Sequence, residues 1–175
     1  MRTKKRIEAR RAAKLNGALT KCRIFASLPK AAIGKLIDIM EYEKIDGATV
    51  VCREGTVADK MYLIVSGECE VFDGGQTVED TTDDVVIKTL KSNEIFGESA
   101  LYHGDNEEFV PRRKKTVRVK EGSILEALVM ESVDFRRIKR NGTLNEQTLA
   151  LLKQVAKERQ QENAKRDEAR KSSPN

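Results

Sequence analysis

The sequence predicts an α+β chain that is mainly β, a jelly-roll-like β-roll (double-stranded β-helix) with helices before and after it. Three observations predict this. Apolar residues recur at helical spacing up to about residue 43 and again from residue 132. Between about residues 48 and 131 they alternate with period two. Glycine-centred turns punctuate that middle stretch.

At 175 residues the chain has room for one domain with a full core plus extensions. Its 39% apolar content suits a globular protein, and its 35% charged content is high. No apolar run of about eighteen residues is present, and the start MRTKKRIEARRAAKLNG lacks the apolar core of a secretory signal, so a cytoplasmic chain without a transmembrane segment is expected. Cys22, Cys52 and Cys69 are odd in number and too far apart for a paired metal knuckle, which predicts reduced thiols, two of them packed in strands. The net charge of +5 is unevenly spread: nine basic residues against Glu8 in the first 23, then 15 basic against 22 acidic over residues 24–138. An acidic body with basic ends is not a nucleic-acid footprint on the core; the basic start reads as a solvated helical face, with contact to RNA, DNA or anionic lipid as the alternative.

In chain order, residues 3–20 place Ile7, Ala12, Leu15, Ala18 and Leu19 at near-helical spacing among Lys and Arg, predicting a basic, weakly amphipathic helix that packs on something. Ser27-Leu28-Pro29 is a helix start, and Ile33, Leu36, Ile37 and Met40 share one face of a core helix ending near Glu43. The segments ATVVCREG, KMYLIVSGECEVF, VVIKTL, TVRVKEG and ILEALVME are then predicted strands, separated by turns such as Ser66-Gly67 and Glu121-Gly122. Residues 78–84 read as an exposed hairpin extension, since they lack the alternating ligands and terminal Glu of a calcium loop. SVDFRRIKRNG returns to helix, and a further helix runs from about Leu144 with Leu149, Leu152, Val155 and Ala156 as its apolar stripe. Beyond Lys157 the sequence is polar all round, as in an exposed helix that frays.

One stretch carries the chemistry: NEIFGESALYHGDNEEFVPRRKKTVRV sets one carboxylate and a small-residue turn near a knot of cations. It is either a surface loop with solvated charges or a pocket that takes a sugar hydroxyl and a phosphate. Metal and nucleophile chemistry fall away, because a cupin metal site or a Ser-His or Cys-His pair needs histidines and only His103 exists, in a charged loop that predicts a solvated side chain.

CREGTVADKMYLIVSGECEVF, with Gly55, Asp59, the Met61-Tyr62-Leu63-Ile64 run and Gly67, resembles the first signature of the cyclic nucleotide-binding domain family. IFGESAL is similar to the start of that family's phosphate-binding cassette, and the likeness covers about residues 22–156. The resemblance implies a basic helical extension over 1–23, a cyclic nucleotide-binding β-roll with flanking helices over 24–140, and a C-terminal lid helix with a polar tail over 141–175. It implies that Glu98 accepts a hydrogen bond from the ribose 2′-hydroxyl, while amides near Ser99 and Ala100 and one arginine hold the exocyclic phosphate, with Phe96, Gly97, Lys115 and Thr116 completing the site. Physical chemistry agrees: Gly97 permits a sharp turn, a helical turn at Glu98–Leu101 aims free N–H groups at an anion, and arginine offers two parallel charge-assisted bonds. Counting back from Thr116 selects Arg113 over Arg112, because a one-residue slip turns the side chain to the other face. Lys115 stands where the family packs a small residue, and residues 102–112 are a longer connection than the family pattern has.

A hydroxyl residue after the arginine would suggest cGMP; Lys114 is there, so cAMP is favoured. No aromatic residue follows Asn145, so Leu149, Leu152 or Val155 is expected to rest on the base, or else the stripe packs permanently on the barrel. The function implied is a regulatory sensor that performs no chemistry, binds no metal, and passes ligand capture to a protein effector or to a missing part of a longer chain. Its rival is a degenerate member of the fold that binds another nucleoside or none and serves as an interaction module. About twenty polar residues after Val155 are too few for a helix-turn-helix domain.

Overall fold

The computed structural model describes residues 2–73, 85–101 and 110–172. It opens with helices α1 (Arg2–Lys21) and α2 (Lys30–Ile39), followed by strands β1 (Glu41–Asp46), β2 (Val50–Cys52), β3 (Lys60–Ser66), β4 (Cys69–Asp73), β5 (Val85–Leu90) and β6 (Ile95–Phe96). A short 3-10 helix (Glu98–Leu101) comes next, then β7 (Thr116–Val119), β8 (Ile124–Glu131), α3 (Ser132–Arg140) and α4 (Glu146–Ser172). The strands form two four-stranded antiparallel sheets, in the orders β1-β8-β3-β6 and β2-β7-β4-β5. Mainly antiparallel sheets with helices at both ends are the β-roll that the sequence predicts.

Strand β3 shows how the layers stack. Its Met61, Leu63 and Val65 join a core cluster with residues of all four helices, whereas Tyr62 and Ile64 join a second cluster with Cys52, Cys69, Val117 and Val119. β8 divides likewise, with Leu128 and Met130 on the helical side and Leu125, Ala127 and Val129 toward the other sheet. One sheet is therefore buried on both faces, which is why MYLIV reads as an unbroken apolar run rather than an alternation. The corner after β3 needs Gly67: its φ is +92°, and a Cβ there would come within 2.2 Å of the Ile124 carbonyl oxygen.

The helices dock on the outer face of that sheet. Leu15, Ala18, Leu19 and Cys22 of α1 and its following turn are buried in the helical-side cluster, while residues 3–14 are exposed, so α1 is part of the body over its last turns only. Two local expectations are corrected. α2 stops at Ile39 and Met40 is already extended (φ −74°, ψ 137°), so Glu41–Asp46 is an edge strand paired with β8 from Glu41↔Val129 to Asp46↔Ile124 instead of the last turn of a helix. An edge strand with one mostly wet face carries little apolar alternation, and pairing with β8 decides its conformation. β6, not anticipated as a strand, is a two-residue pairing of Tyr62↔Phe96 and Leu63↔Ile95 that seats the next turn against β3. The proposed hairpin at residues 78–84, and His103 with most of the 102–112 connection, lie outside the described residues.

Candidate functional site

The site is built at the turn after β6. Gly97 adopts φ +75°, and a Cβ there would stand 2.6 Å from the Arg113 guanidinium and 2.7 Å from the Lys60 carbonyl oxygen, so the backbone passes where only glycine fits. The chain then enters the 3-10 helix, closed by Ala100 N–H donating to the Gly97 carbonyl at 3.0 Å. Of the two amides expected to face an anion, that of Ala100 is thus engaged within its own turn. Glu98, Ala100 and Leu101 are buried and Ser99 is half-buried. Phe96 lies beneath, its ring stacked on Tyr62 with centroids 4.8 Å apart and planes 5° from parallel.

Arg113 comes from the other side. The backbone of Arg113 donates to Thr56 O and accepts from Gly55 N, both at 2.8 Å, while Arg112 bridges Val57, so the two arginines project to opposite faces. Arg113 is 6% exposed; its Nη1 donates to the Gly97 carbonyl at 3.1 Å and its Nη2 lies 3.7 Å from an Asp59 carboxylate oxygen. Arg112 is exposed and donates to Gly55 O at 2.9 Å. A buried guanidinium has five N–H donors, and these two contacts leave others for a further acceptor. Thr116 Oγ1 accepts from Glu54 N–H at 3.1 Å, fixing the start of β7. Lys115 pairs with Asp73 and lies 3.9 Å from Asp167 of α4, its side chain only 13% exposed.

Cys52 packs in the same buried cluster as Tyr62 and Phe96. Burial pushes the Cys52 thiol up to about 11; the Arg113 charge works against that rise, and the Asp59 and Glu98 charges add to it. Burial likewise raises the Tyr62 hydroxyl to about 12. Both groups stay neutral near pH 7, and all three cysteines are free and buried.

Leu149 and Leu152 belong with the cluster that also takes in Ile95 and Leu101 of this turn. Leu152 is 1% exposed inside the helical-side cluster with Phe135, Ile138 and Leu144, and Leu149 and Val155 pack against the same cluster. This packing is common to both expectations for the stripe, since a lid would use the same side chains in one of two states. What α4 brings to the site is Arg159, which the sequence reading placed in the solvated tail. Its Nη1 donates to Glu98 Oε2 and its Nη2 to the Ile95 carbonyl at 2.6 Å. The signal was the continued spacing: after Leu152 come Val155 and Ala156, then Arg159, Asn163 and Arg166, all half-buried along one face. Sequence reasoning also passed over Asp59 and Cys52 as parts of the site. An open cavity of about 780 Å³ lies along α3, lined by Val133, Arg136, Arg137, Arg140 and Asn141, and shares no residue with this site. Among the described residues no acidic, Cys or His cluster could hold a metal, and no helix is long and apolar enough to cross a membrane.

One end of this β-roll thus brings together a glycine turn, a buried glutamate and a buried arginine. Residues 42–141 match the family model described as cyclic nucleotide-binding domain, and the chain belongs to that family, which binds cyclic nucleotides. Over 96 residues it is 33% identical to the cGMP-dependent protein kinase egl-4 of Caenorhabditis elegans, covering 55% of this chain and 12% of that one. It is 34% identical over 86 residues to the cAMP-dependent protein kinase regulatory subunit of Yarrowia lipolytica, covering 49% and 21%. The chain thus spans a minor part of the length of these relatives. The regulatory domain of the Toxoplasma gondii PKA, solved with cAMP, superposes with a TM-score of 0.65 at 21% identity, covering 86% of this chain and 51% of that one. The N-terminal domain of a transcriptional regulator from Streptomyces coelicolor A3(2) gives 0.61 at 18% identity, covering 84% and 95%. At these identities the two structures speak to the fold.

Proposed function

We propose that the chain is a regulatory sensor for a purine cyclic nucleotide, cAMP favoured over cGMP, that performs no chemistry and converts ligand capture into movement of its flanking helices. The observation that carries it is the buried Arg113 held at Gly97 beside Asp59, at the turn where Glu98 is also buried. An arginine desolvated to this degree without a full carboxylate partner is costly unless a second anion arrives, and a phosphate suits its fork. Glu98 takes the ribose 2′-hydroxyl in this reading, and Phe96, Gly97, Ser99, Ala100 and Thr116 shape the cradle. Lys115, paired with Asp73, keeps its charge off the phosphate while bound to that partner.

The preference for cAMP follows from Lys114, exposed and without a hydroxyl, directly after Arg113. Coupling to helices is supported by α3 and α4, both of which touch the 3-10 helix of the cradle. The receiver of that movement is a protein effector, in this chain's continuation or in a separate protein. Calorimetric titration with cAMP, cGMP and inosine tests the reading. Saturable binding with cAMP tighter than cGMP is expected; binding of inosine alone, or of none of the three, overturns it.

A further inference from the structure

The structure assigns α4 a second role: through Arg159 it is an internal competitor of the ligand, its guanidinium standing in for the sugar hydroxyl on Glu98. This rests on the cyclic-nucleotide reading above. Glu98 has one oxygen engaged by Arg159 and a side chain only 9% exposed, so the arginine already takes up part of that carboxylate's accepting capacity before a hydroxyl arrives. The same guanidinium also holds the Ile95 carbonyl at 2.6 Å, so it spans the strand and the turn on which the cradle is built. Eight residues further along, a little over two helical turns, Asp167 comes within 3.9 Å of Lys115, the residue next to Thr116 at the cradle's other wall. Asn163 and Arg166, half-buried, lie between these two points. The helix is laid across the cradle at both walls.

The two halves of α4 differ in what holds them. Residues up to Val155 are fixed by apolar packing around Leu152, which water cannot replace. From Arg159 onward the contacts are ion pairs and hydrogen bonds, which solvent and a ligand can take over on both sides. A ligand that donates a hydroxyl to Glu98 and a phosphate to Arg113 therefore removes the first clasp and frees residues 157–172, while the first turns of α4 stay docked. Affinity for the ligand is reduced by the fraction of molecules in which the clasp is closed.

The test uses the full chain, wild type, Arg159→Ala and Asp167→Ala, in two arms. In calorimetry with cAMP, Arg159→Ala binds about tenfold tighter or more than wild type, and Asp167→Ala shifts in the same direction by less. Equal or weaker binding by Arg159→Ala, with the fold intact by circular dichroism, overturns the inference. In ligand-free hydrogen exchange, Arg159→Ala speeds exchange over residues 157–169 and leaves 147–155 unchanged; the same exchange over 157–169 in both proteins overturns it. If neither protein binds any cyclic nucleotide, the ligand reading fails by itself, and the exchange arm still decides whether Arg159 clasps α4 to the cradle.

Discussion

Two side chains carry the ligand account, and each makes its own prediction. Glu98 is engaged by Arg159 in the free chain, so its contribution is read cleanly only where that competitor is gone. Adding Glu98→Ala to Arg159→Ala should weaken cAMP binding by about one to two powers of ten, the value of a buried charge-assisted hydrogen bond of about 1.5–3 kcal/mol. Unchanged calorimetric affinity in the double variant would remove Glu98 from the ribose contact. For the arginines, Arg113 is buried against Gly97 while Arg112 is exposed against Gly55. Arg113→Ala should therefore cost at least about tenfold in Kd, and Arg112→Ala less than about threefold. Equal losses would mean that the phosphate is held elsewhere. Much of this was legible from the sequence, because Gly97, Glu98 and Arg113 sit in short motifs whose residue types have few other uses. Arg159 was not, since a single arginine in a mixed-charge helix carries no local mark of what it faces across 61 residues of chain.

At the scale of elements, the turn after β6 and the first half of α4 are the pieces that the account depends on. Gly97 combines positive φ with backbone and guanidinium on its open side, whereas Gly55, at φ +81°, has open space around it. Gly97→Ala should lose roughly 1–3 kcal/mol of stability or more together with cAMP affinity, and Gly55→Ala should lose less of the first and little of the second. Urea unfolding and titration of the two variants would show it, and equal effects would contradict the close approach at Gly97. Leu152, 1% exposed, packs in the core beneath α3, so Leu152→Ala should destabilise by about 2–5 kcal/mol while the variant that remains folded keeps wild-type cAMP affinity. A variant of full stability but weakened affinity would place Leu152 in the ligand's lid. The strands with strong alternation or continuous apolar runs were readable in advance, β3 and β8 above all. β1 was not, because EYEKID is an edge strand whose exposure hides its period, and α2's helical spacing runs into it without a breaker. β6 was too short to have a period at all.

The whole molecule is three layers: helices, a sheet buried on both faces, and a second sheet closing the roll. The candidate site lies at the end of β6, in contact with α3 and α4, and Arg113, just before β7 of the second sheet, reaches its glycine. The central claim is that a cyclic nucleotide occupies this cradle and exchanges places with the second half of α4. Hydrogen exchange of the full chain with and without saturating cAMP tests it most directly. The account predicts slower exchange over residues 95–101 and 111–117 and faster exchange over 157–169, with 147–155 unchanged. Exchange that stays the same over 95–101 while cAMP is bound, or α4 slowing along its whole length, would contradict it.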